Sequence, residues 1–265
     1  MVKLNKLKEA AQIIQSAHFG IALTGAGISA ESGIPTFRGN QGLWQRYDAQ
    51  EYAHIDSFLK NPSKVWRMFK EFDQIMTQAR PNPAHLVLAE WEKRGYLKAI
   101  ITQNVDNLHQ VAGSKKVIEF HGNAFRLRCL QCGRIYKKTE ISWEDVPCCE
   151  CGGVLKPDVV FFGERIPFEA LLETQKLIDA CDVMLVIGTS AEVAPANFLP
   201  DEAKRQGAKI IEINIHSTHL TETITDIFLT GKASEVLTEL AQIIGTCPPK
   251  PVSYTHLTLP TTPYV

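Results

Sequence analysis

The sequence has 265 residues, and its 28 basic and 29 acidic side chains leave it close to neutral. This balance argues against nucleic acid or an anionic membrane surface as a partner, and no apolar run reaches the roughly 20 residues that a membrane span needs. We therefore expect a cytoplasmic protein that is long enough to bury one large core plus an inserted module.

The first predicted elements are a helix over residues 3–17, where apolar residues recur at helical spacing, and a buried strand over residues 19–23. The strand runs directly into Gly25, Ala26 and Gly27. Glycine permits positive φ and lets a phosphate approach the backbone, while a following helical turn adds the positive end of its dipole. We interpret this turn, with its bare backbone N–H groups, as a pyrophosphate cradle.

The same turn fits the hydride-transfer fingerprint G-x-G-x-x-A, with Ala30 in the last place, but the context does not fit. A dehydrogenase needs a long helix at this point, whereas Gly33 and Pro35 stop any helix after little more than one turn. A dinucleotide would therefore be held differently. For the glycines alone, a tight turn without a ligand is the alternative.

Farther along the chain, two segments interrupt a regular alternation of strands and helices. Residues 39–80 hold aromatic residues among polar ones without a strand pattern, which predicts a helical insertion, and residues 123–158 are polar and rich in cysteine. The other predicted elements are helices over 84–94, 168–180, 197–206 and 234–244, and strands over 96–102, 117–120, 183–187, 209–213 and 227–229. This alternation predicts an α/β fold with a doubly wound parallel sheet, whose ligands lie beyond the carboxyl ends of its strands. By that rule the residues just after four predicted strands, Gly25, Gln103, Gly188 and Asn214, should face one crevice.

The insertions predict how the chain divides into domains. The large domain comprises residues 1–38, 81–122 and 159–245, and the small domain combines the helical insertion 39–80 with the cysteine-rich insertion 123–158. Residues 246–265 are rich in proline and threonine, and we expect them to form a disordered tail.

The cysteine-rich insertion contains two C-x-x-C pairs, Cys129 with Cys132 and Cys148 with Cys151, which are separated by 15 residues. In a cytosolic protein such pairs favour a metal over a disulfide, and four thiolates form a closed tetrahedral zinc site with no open position for catalysis. We predict one structural zinc ion per chain, with Cys149 as a spare thiol. Reduced cysteines that merely pack are the alternative.

Polar side chains follow the strand predicted over residues 96–102. Carboxamides and a carboxylate in this run suit ribose hydroxyls and an amide such as nicotinamide, although Asn104 or Asp106 alone would more often cap a helix. His121 lies at the end of another predicted strand. A base with a pKa of about 6.5 at that place could take a proton from a hydroxyl at neutral pH.

Together these motifs resemble those of the sirtuins, the NAD-dependent protein-lysine deacylases, over about residues 19–240. The motifs are G-A-G-I-S from Gly25, G-I-P-T-F-R from Gly33, T-Q-N-V-D-N-L-H from Thr102, F-H-G from Phe120, P-D-V-V-F-F-G-E from Pro157, G-T-S from Gly188, and the two cysteine pairs. The resemblance implies a Rossmann-like large domain, a smaller inserted domain of helices and a zinc ribbon, and NAD+ as a co-substrate.

In that family an acyl-lysine of a protein or peptide enters between the domains, and its amide oxygen attacks the anomeric carbon of the nicotinamide ribose. Nicotinamide leaves, and the acyl group passes to ADP-ribose to give 2′-O-acetyl-ADP-ribose. The resemblance implies that His121 is the general base that activates a ribose hydroxyl and that Asn104 orients ribose and water. We expect the enzyme to act as a monomer.

The resemblance also implies the binding residues. Those for NAD+ are Gly25, Ala26, Gly27, Ser29, Glu31, Phe37, Arg38, Trp44, Gln103, Asn104, Asp106, Gly188, Ser190, Asn214, Ile215, His216 and Ala233. Those for the acyl-lysine substrate are Phe69 and Phe72, together with Val160, Phe161, Phe162, Gly163 and Glu164, along which the peptide would add as a strand. Among them, Asp106 would hold the nicotinamide carboxamide, Gln103 would bind a ribose hydroxyl, and Phe37 would cover the reacting centre.

Two positions differ from those of one branch of the family. Sirtuins that remove negatively charged acyl groups carry a tyrosine and, three residues later, an arginine that grip the acyl carboxylate. The equivalent residues here are Phe69 and Phe72. We therefore expect neutral acyl groups to be preferred over acidic ones.

Two other functions are compatible with the same motifs. The chain could be a catalytically idle sensor of NAD or ADP-ribose, in which His121 is only structural, or it could transfer ADP-ribose to a protein. Release of nicotinamide together with 2′-O-acetyl-ADP-ribose distinguishes deacylation from both.

Overall fold

The computed structural model describes residues 2–37, 42–142 and 145–246. Its α-helices are α1 (Val2–Ser16), α2 (Ala49–Tyr52), α3 (Ile55–Lys60), α4 (Pro62–Gln78), α5 (Pro83–Arg94), α6 (Leu108–Val111), α7 (Phe168–Ala180), α8 (Leu199–Arg205), α9 (His219–Thr223) and α10 (Ala233–Ile244). Its strands are β1 (Gly20–Thr24), β2 (Ala99–Thr102), β3 (Val117–Glu119), β4 (Gly122–Cys129), β5 (Ile135–Lys137), β6 (Leu155–Val159), β7 (Val183–Ile187), β8 (Lys209–Asn214) and β9 (Ile227–Thr230). The predictions for Arg38 and for the tail beyond residue 246 lie outside the described residues.

Six strands form one sheet in the order β3-β2-β1-β7-β8-β9, and each neighbouring pair is parallel. Strand β1 lies in the interior of this sheet, and all of its residues are buried. A continuous apolar run is typical of such a strand because helices cover both faces of the sheet. The predicted parallel sheet is confirmed.

Side chains alternate along the strands and so enter two separate cores. On one face Ala22 packs with apolar residues of α1, α5 and α10, and on the other Ile21 and Leu23 pack with residues of α7 and α8. The sheet is therefore doubly wound, as predicted.

Helices α2 to α4 and an antiparallel sheet in the order β5-β4-β6 form a smaller lobe. Its apolar residues make a third core, which we call the small-lobe core. The indole Nε1 of Trp66 on α4 donates a hydrogen bond to the carbonyl of Leu155 on β6 at 3.1 Å. This bond ties the helices of the lobe to its sheet.

Several elements differ from the predictions. The strands of the small sheet and the short helices α6 and α9 were not predicted, because their apolar residues are too few to set a period. The helix predicted over residues 197–206 is a 3₁₀ turn at Ala196–Phe198 followed by α8. Within the described ranges, no helix combines the length and the apolar character that a membrane span requires.

Candidate active site

A cleft of about 1140 Å³ opens at the carboxyl ends of the strands of the large sheet, which is where an α/β sheet binds its ligands. Its wall draws residues from both lobes. The predicted residues that line it are Gly25, Ala26, Gly27, Glu31, Phe37, Trp44, Phe69, Phe72, Gln103, Asn104, His121, Val160, Phe161, Phe162, Gly163, Glu164, Gly188, Ser190, Asn214, Ile215, His216 and Ala233.

Two predicted NAD+ residues, Ser29 and Asp106, do not belong to this wall. They are buried behind it, where the Ser29 hydroxyl donates to Asp106 Oδ2 at 2.6 Å and receives a hydrogen bond from Asn104 Nδ2 at 3.1 Å. Burial raises the pKa of the Asp106 carboxyl, and the hydrogen bond from Ser29 opposes that shift. In this structure the two residues support Asn104 from behind.

The glycine turn is built differently from the predicted cradle. The N–H of Gly25 donates to the carbonyl of Ile187 at 3.0 Å, and that of Gly27 donates to the carbonyl of Gly188 at 2.8 Å. A Cβ on Gly27 would lie 2.8 Å from the Gly188 backbone. The expectation of bare N–H groups is thus wrong for these two residues, because the turns after β1 and β7 pack against each other. The following 3₁₀ helix, Ala26–Ser32, ends at Gly33 as predicted.

His121 lies where β3 leads into β4, with its Nδ1 3.1 Å from the carbonyl oxygen of Gln103. A carbonyl can only accept, so Nδ1 carries the hydrogen and Nε2 is left as the basic nitrogen. Burial lowers the pKa of His121, and the hydrogen bond to Gln103 partly opposes the shift. The imidazole is therefore neutral at pH 7, as a general base must be.

The part of the cleft beside α4 is apolar and aromatic. Phe69 and Phe72 line it together with Met68 and Met76 of the same helix. The ring of Phe69 stacks on that of Phe161, with centroids 5.9 Å apart and planes 19° apart. This geometry suits a hydrocarbon chain.

Sequence reasoning missed residues on the wall between β7 and α8. Thr189, Val193, Ala194 and Pro195 line the cleft in the loop that follows Gly188. The rule that placed Gly188 at the carboxyl edge applies to the whole loop and is the signal that could have found them.

The cysteine cluster differs from the prediction in one residue. The Sγ atoms of Cys129, Cys132, Cys149 and Cys151 all lie within 4.8 Å of one another, whereas Cys148 is exposed and forms a β-bridge with Val154. Cys149 therefore takes the place predicted for Cys148. Adjacent residues of an extended chain point to opposite sides, so only one of the two can face the cluster.

The donor set fits zinc. Four cysteine sulfurs are a ligand set of closed structural zinc sites, and these four lie close enough together to share one ion. Backbone N–H groups of Gln131 and Cys132 donate to Cys129 Sγ, each at 3.4 Å. The backbone N–H of Cys151, with the Tyr136 hydroxyl, lowers the pKa of Cys149 to about 6, which favours the thiolate that a metal binds.

Two further histidines lie behind the cleft and stay neutral. The rings of His85 and His109 are 4.9 Å apart, and His109 Nε2 lies 2.9 Å from the Thr24 hydroxyl. Burial lowers the pKa of His109 to about 3, and burial together with the nearby His109 lowers that of His85.

These histidines should make stability depend on pH. Between pH 6.5 and about 3 the unfolded chain binds more protons than the folded one, so the stabilisation is complete above pH 6.5 and is lost as the pH falls. Because folded His109 resists protonation, we expect it to lower the free energy of unfolding by about 2 kcal/mol when the pH falls from 7.5 to 5. Urea unfolding of the protein and of His109→Asn at both pH values measures this difference. The His109→Asn variant should lose less stability on acidification than the unmodified protein. Equal acid sensitivity of the protein and His109→Asn would contradict the assignment.

Known proteins are similar to this chain in sequence and in architecture. The model of the Sir2 family matches residues 25–195. The NAD-dependent protein deacylase of Thermococcus kodakarensis is 49% identical over 88% of this chain and 94% of its own length. A mutant of a Sir2 homologue solved with ADP-ribose is 44% identical, with a TM-score of 0.86 over 89% of this chain and 96% of that one. A Sir2 complex with a p53 peptide and NAD+ is 38% identical, with a TM-score of 0.84 over 90% of this chain and 98% of that one.

Proposed function

Because the chain belongs to the Sir2 family, we propose how its own residues carry out the reaction of an NAD-dependent protein-lysine deacylase. The enzyme takes NAD+ and an acyl-lysine peptide as substrates. NAD+ supplies the ADP-ribose that accepts the acyl group, and nicotinamide is released.

The observation that carries the proposal is the orientation of His121 on the wall of the cleft. Its Nδ1 is committed to the Gln103 carbonyl at 3.1 Å, so Nε2 is the atom that accepts a proton from a ribose hydroxyl. Asn104, whose Nδ2 donates to the carbonyl of Gly25 at 3.1 Å, lines the same cleft and would orient the ribose and the attacking water.

The NAD+ half of the site would lie along the edge of the large sheet. The glycine turn there packs closely against the turn after β7, because a Cβ on Gly25 or Gly27 would lie less than 3 Å from Thr189 or Gly188. The side-chain Nε2 of Gln103 donates to the Thr189 hydroxyl at 3.1 Å. This bond connects the turn after β2 with the turn after β7. Phe37 stacks on Trp44 with ring centroids 5.5 Å apart and would cover the reacting centre.

The peptide half would lie between two segments that both line the cleft, residues 160–164 and residues 193–195. The peptide would add to these segments as an extended strand. The segment 160–164 is itself paired with the small lobe at Phe162. The N–H of Phe162 donates to the carbonyl of Ala53 at 2.8 Å, and the carbonyl of Phe162 accepts from the N–H of Ile55 at 3.0 Å. This pairing fixes the segment before substrate arrives.

The test is incubation with an acetyl-lysine peptide and NAD+. Equal amounts of nicotinamide, free lysine peptide and 2′-O-acetyl-ADP-ribose, measured by mass, are expected. Free lysine without nicotinamide would exclude this mechanism, and ADP-ribose attached to the protein would indicate transfer instead. The monomeric state and the cytoplasmic location stay predictions.

The apolar cleft beside α4 should discriminate between acyl groups. A succinyl carboxylate beside Phe69 and Phe72 would lose its hydration without gaining a charged partner from the described α4 residues that line the cleft, and an unpaired buried charge costs several kcal/mol. We expect kcat/KM for the acetyl peptide to exceed that for the succinyl peptide by about 100-fold or more, with butyryl accepted. Steady-state assays of the three peptides measure this preference.

A charged partner should change the preference. The double variant Phe69→Tyr, Phe72→Arg should gain activity on the succinyl peptide, whereas Phe72→Leu, which adds no charge, should not. A protein that prefers the succinyl peptide without any substitution would refute the assignment of this pocket.

A further inference from the structure

A buried lysine is hydrogen-bonded to the last residue of the segment 160–164. Lys156 on β6 has a side chain only 5% exposed. Its Nζ donates to the carbonyl of Val159 at 2.6 Å, to that of Pro157 at 3.2 Å, and to Glu164 Oε2 at 2.9 Å. A buried ammonium group is tolerated only when it is paired and its three donors are matched, and here they are.

Glu164 connects this lysine to the predicted substrate segment. The same Oε2 that accepts from Lys156 also accepts the backbone N–H of Phe161 at 2.8 Å, while the N–H of Glu164 donates to the Phe161 carbonyl at 3.0 Å. The carboxylate thus closes the turn through Gly163, whose φ is 85°. Glu164 lines the cleft as predicted, but this oxygen points into the protein.

The pair also orients an aromatic ring of the acyl pocket. Lys156 Nζ lies 4.4 Å from the centroid of the Phe161 ring, within the range of a cation–π contact. The same ring stacks on Phe69 and meets Phe58 edge-on, with centroids 5.6 Å apart. Phe161 is therefore held between the ammonium group and the helix that lines the pocket.

Lys156 is not among the described residues that line the cleft, so it can affect the reaction only through its neighbours. Those neighbours, Glu164 and Phe161, belong to the peptide half of the site. The NAD+ half is built on the glycine turn, Gln103 and Asn104, which the hydrogen bonds of Lys156 do not reach.

We propose that Lys156 and Glu164 are a positioning pair for the acyl-lysine, which fixes the substrate segment and the Phe161 ring and so sets peptide affinity and acyl-chain preference without acting on NAD+. The pair rests on the proposed deacylase function. It is distinct from Phe69 and Phe72, which contact the acyl group directly.

The test compares Lys156→Met, Glu164→Gln and the double variant with the unmodified protein. Glu164→Gln keeps the shape of the side chain and one acceptor oxygen, so it tests the charge even where Lys156→Met does not fold. Lys176→Met is the matched control, because Lys176 pairs with Glu173 on the surface of α7. Acetyl-peptide binding by fluorescence polarisation, ADP-ribose binding by calorimetry, and kcat and KM for acetyl and butyryl peptides are measured.

The single variants should weaken acetyl-peptide binding and raise its KM by about threefold to thirtyfold and should shift the butyryl-to-acetyl ratio of kcat/KM. Their affinity for ADP-ribose should stay within about twofold of that of the unmodified protein, since no contact of the pair reaches that half. The double variant should be less impaired than Lys156→Met, because it leaves no unpaired carboxylate behind.

Unchanged peptide binding and acyl preference in both single variants would overturn the proposal. Equal loss of peptide and ADP-ribose affinity would also overturn it, since the pair would then act on the fold as a whole. If the unmodified protein binds the peptide but does not deacylate it, the proposed function fails while the binding measurements still decide the role of the pair. If it does not bind the peptide, both fail.

Discussion

Replacing His121 with alanine should lower the turnover of an acetyl-lysine peptide by about 10²–10⁴-fold, the range expected when a general base is removed. The affinity for ADP-ribose should change by no more than about twofold, because the ring is hydrogen-bonded to the backbone carbonyl of Gln103, which the substitution leaves in place. Single-turnover kinetics and calorimetry measure the two quantities. His219→Asn, at an exposed position, is the control for loss of a histidine as such.

The pH profile adds an independent check on this residue. Since burial lowers the pKa of His121, the acid limb of kcat/KM should fall below pH 6.5 and not at the ordinary value for histidine. The His121→Ala variant should lack this limb. Unchanged turnover in the variant would remove His121 from the mechanism and favour the interpretation of the chain as a sensor.

Replacing Cys149 with serine should release the zinc ion and unfold the small lobe, and Cys132→Ser should do the same. A structural site holds its metal with an apparent free energy of about 10–16 kcal/mol, which becomes folding free energy of the surrounding module. We expect about one zinc per chain in the unmodified protein and nearly none in either variant after dialysis against a chelator, by mass spectrometry of the metal. Activity should be lost together with the metal.

The adjacent cysteine gives the matched control for this experiment. Cys148→Ser should keep its zinc and its activity, because Cys148 is exposed and lies outside the cluster of four Sγ atoms. Loss of zinc from Cys148→Ser with retention in Cys149→Ser would show that the two C-x-x-C pairs bind the metal as their spacing first suggested. A fully active protein without metal would refute the structural role altogether.

The large sheet was predictable because its signals are local. Strands β1 and β7 are continuous apolar runs. Helix α5 has residues that mark both of its ends, with Asn82 as the N-cap, Pro83 in the first turn and Gly95 as the C-cap. Each of these features depends on only a few neighbouring residues. The carboxyl-edge rule then brought Gly25, Gln103 and Gly188 to one cleft without any knowledge of the distances.

The remaining features depend on contacts between residues that are far apart in the chain. The N–H groups of Gly25 and Gly27 pair with residues more than 150 positions away, so the turn alone did not reveal that they were occupied. The C-x-x-C spacing predicted Cys148 as the fourth thiol, whereas in the structure Cys149 lies in the cluster and Cys148 pairs with Val154. Lys156 lies in a segment for which no strand was predicted, and its burial could not be inferred before its acceptors were known.

The small-lobe core contains Cys129 and Cys149 of the metal cluster as well as Phe58 and Phe161 beside the acyl pocket. The residues that we propose for the chemistry, His121 and Asn104, line the cleft at the edge of the large sheet instead. A packed interior transmits strain, so a change buried beside the cysteine cluster should be felt mechanically at the Phe161 ring before it reaches His121. We therefore expect such a change to alter which acyl chains fit more than it alters the chemical step.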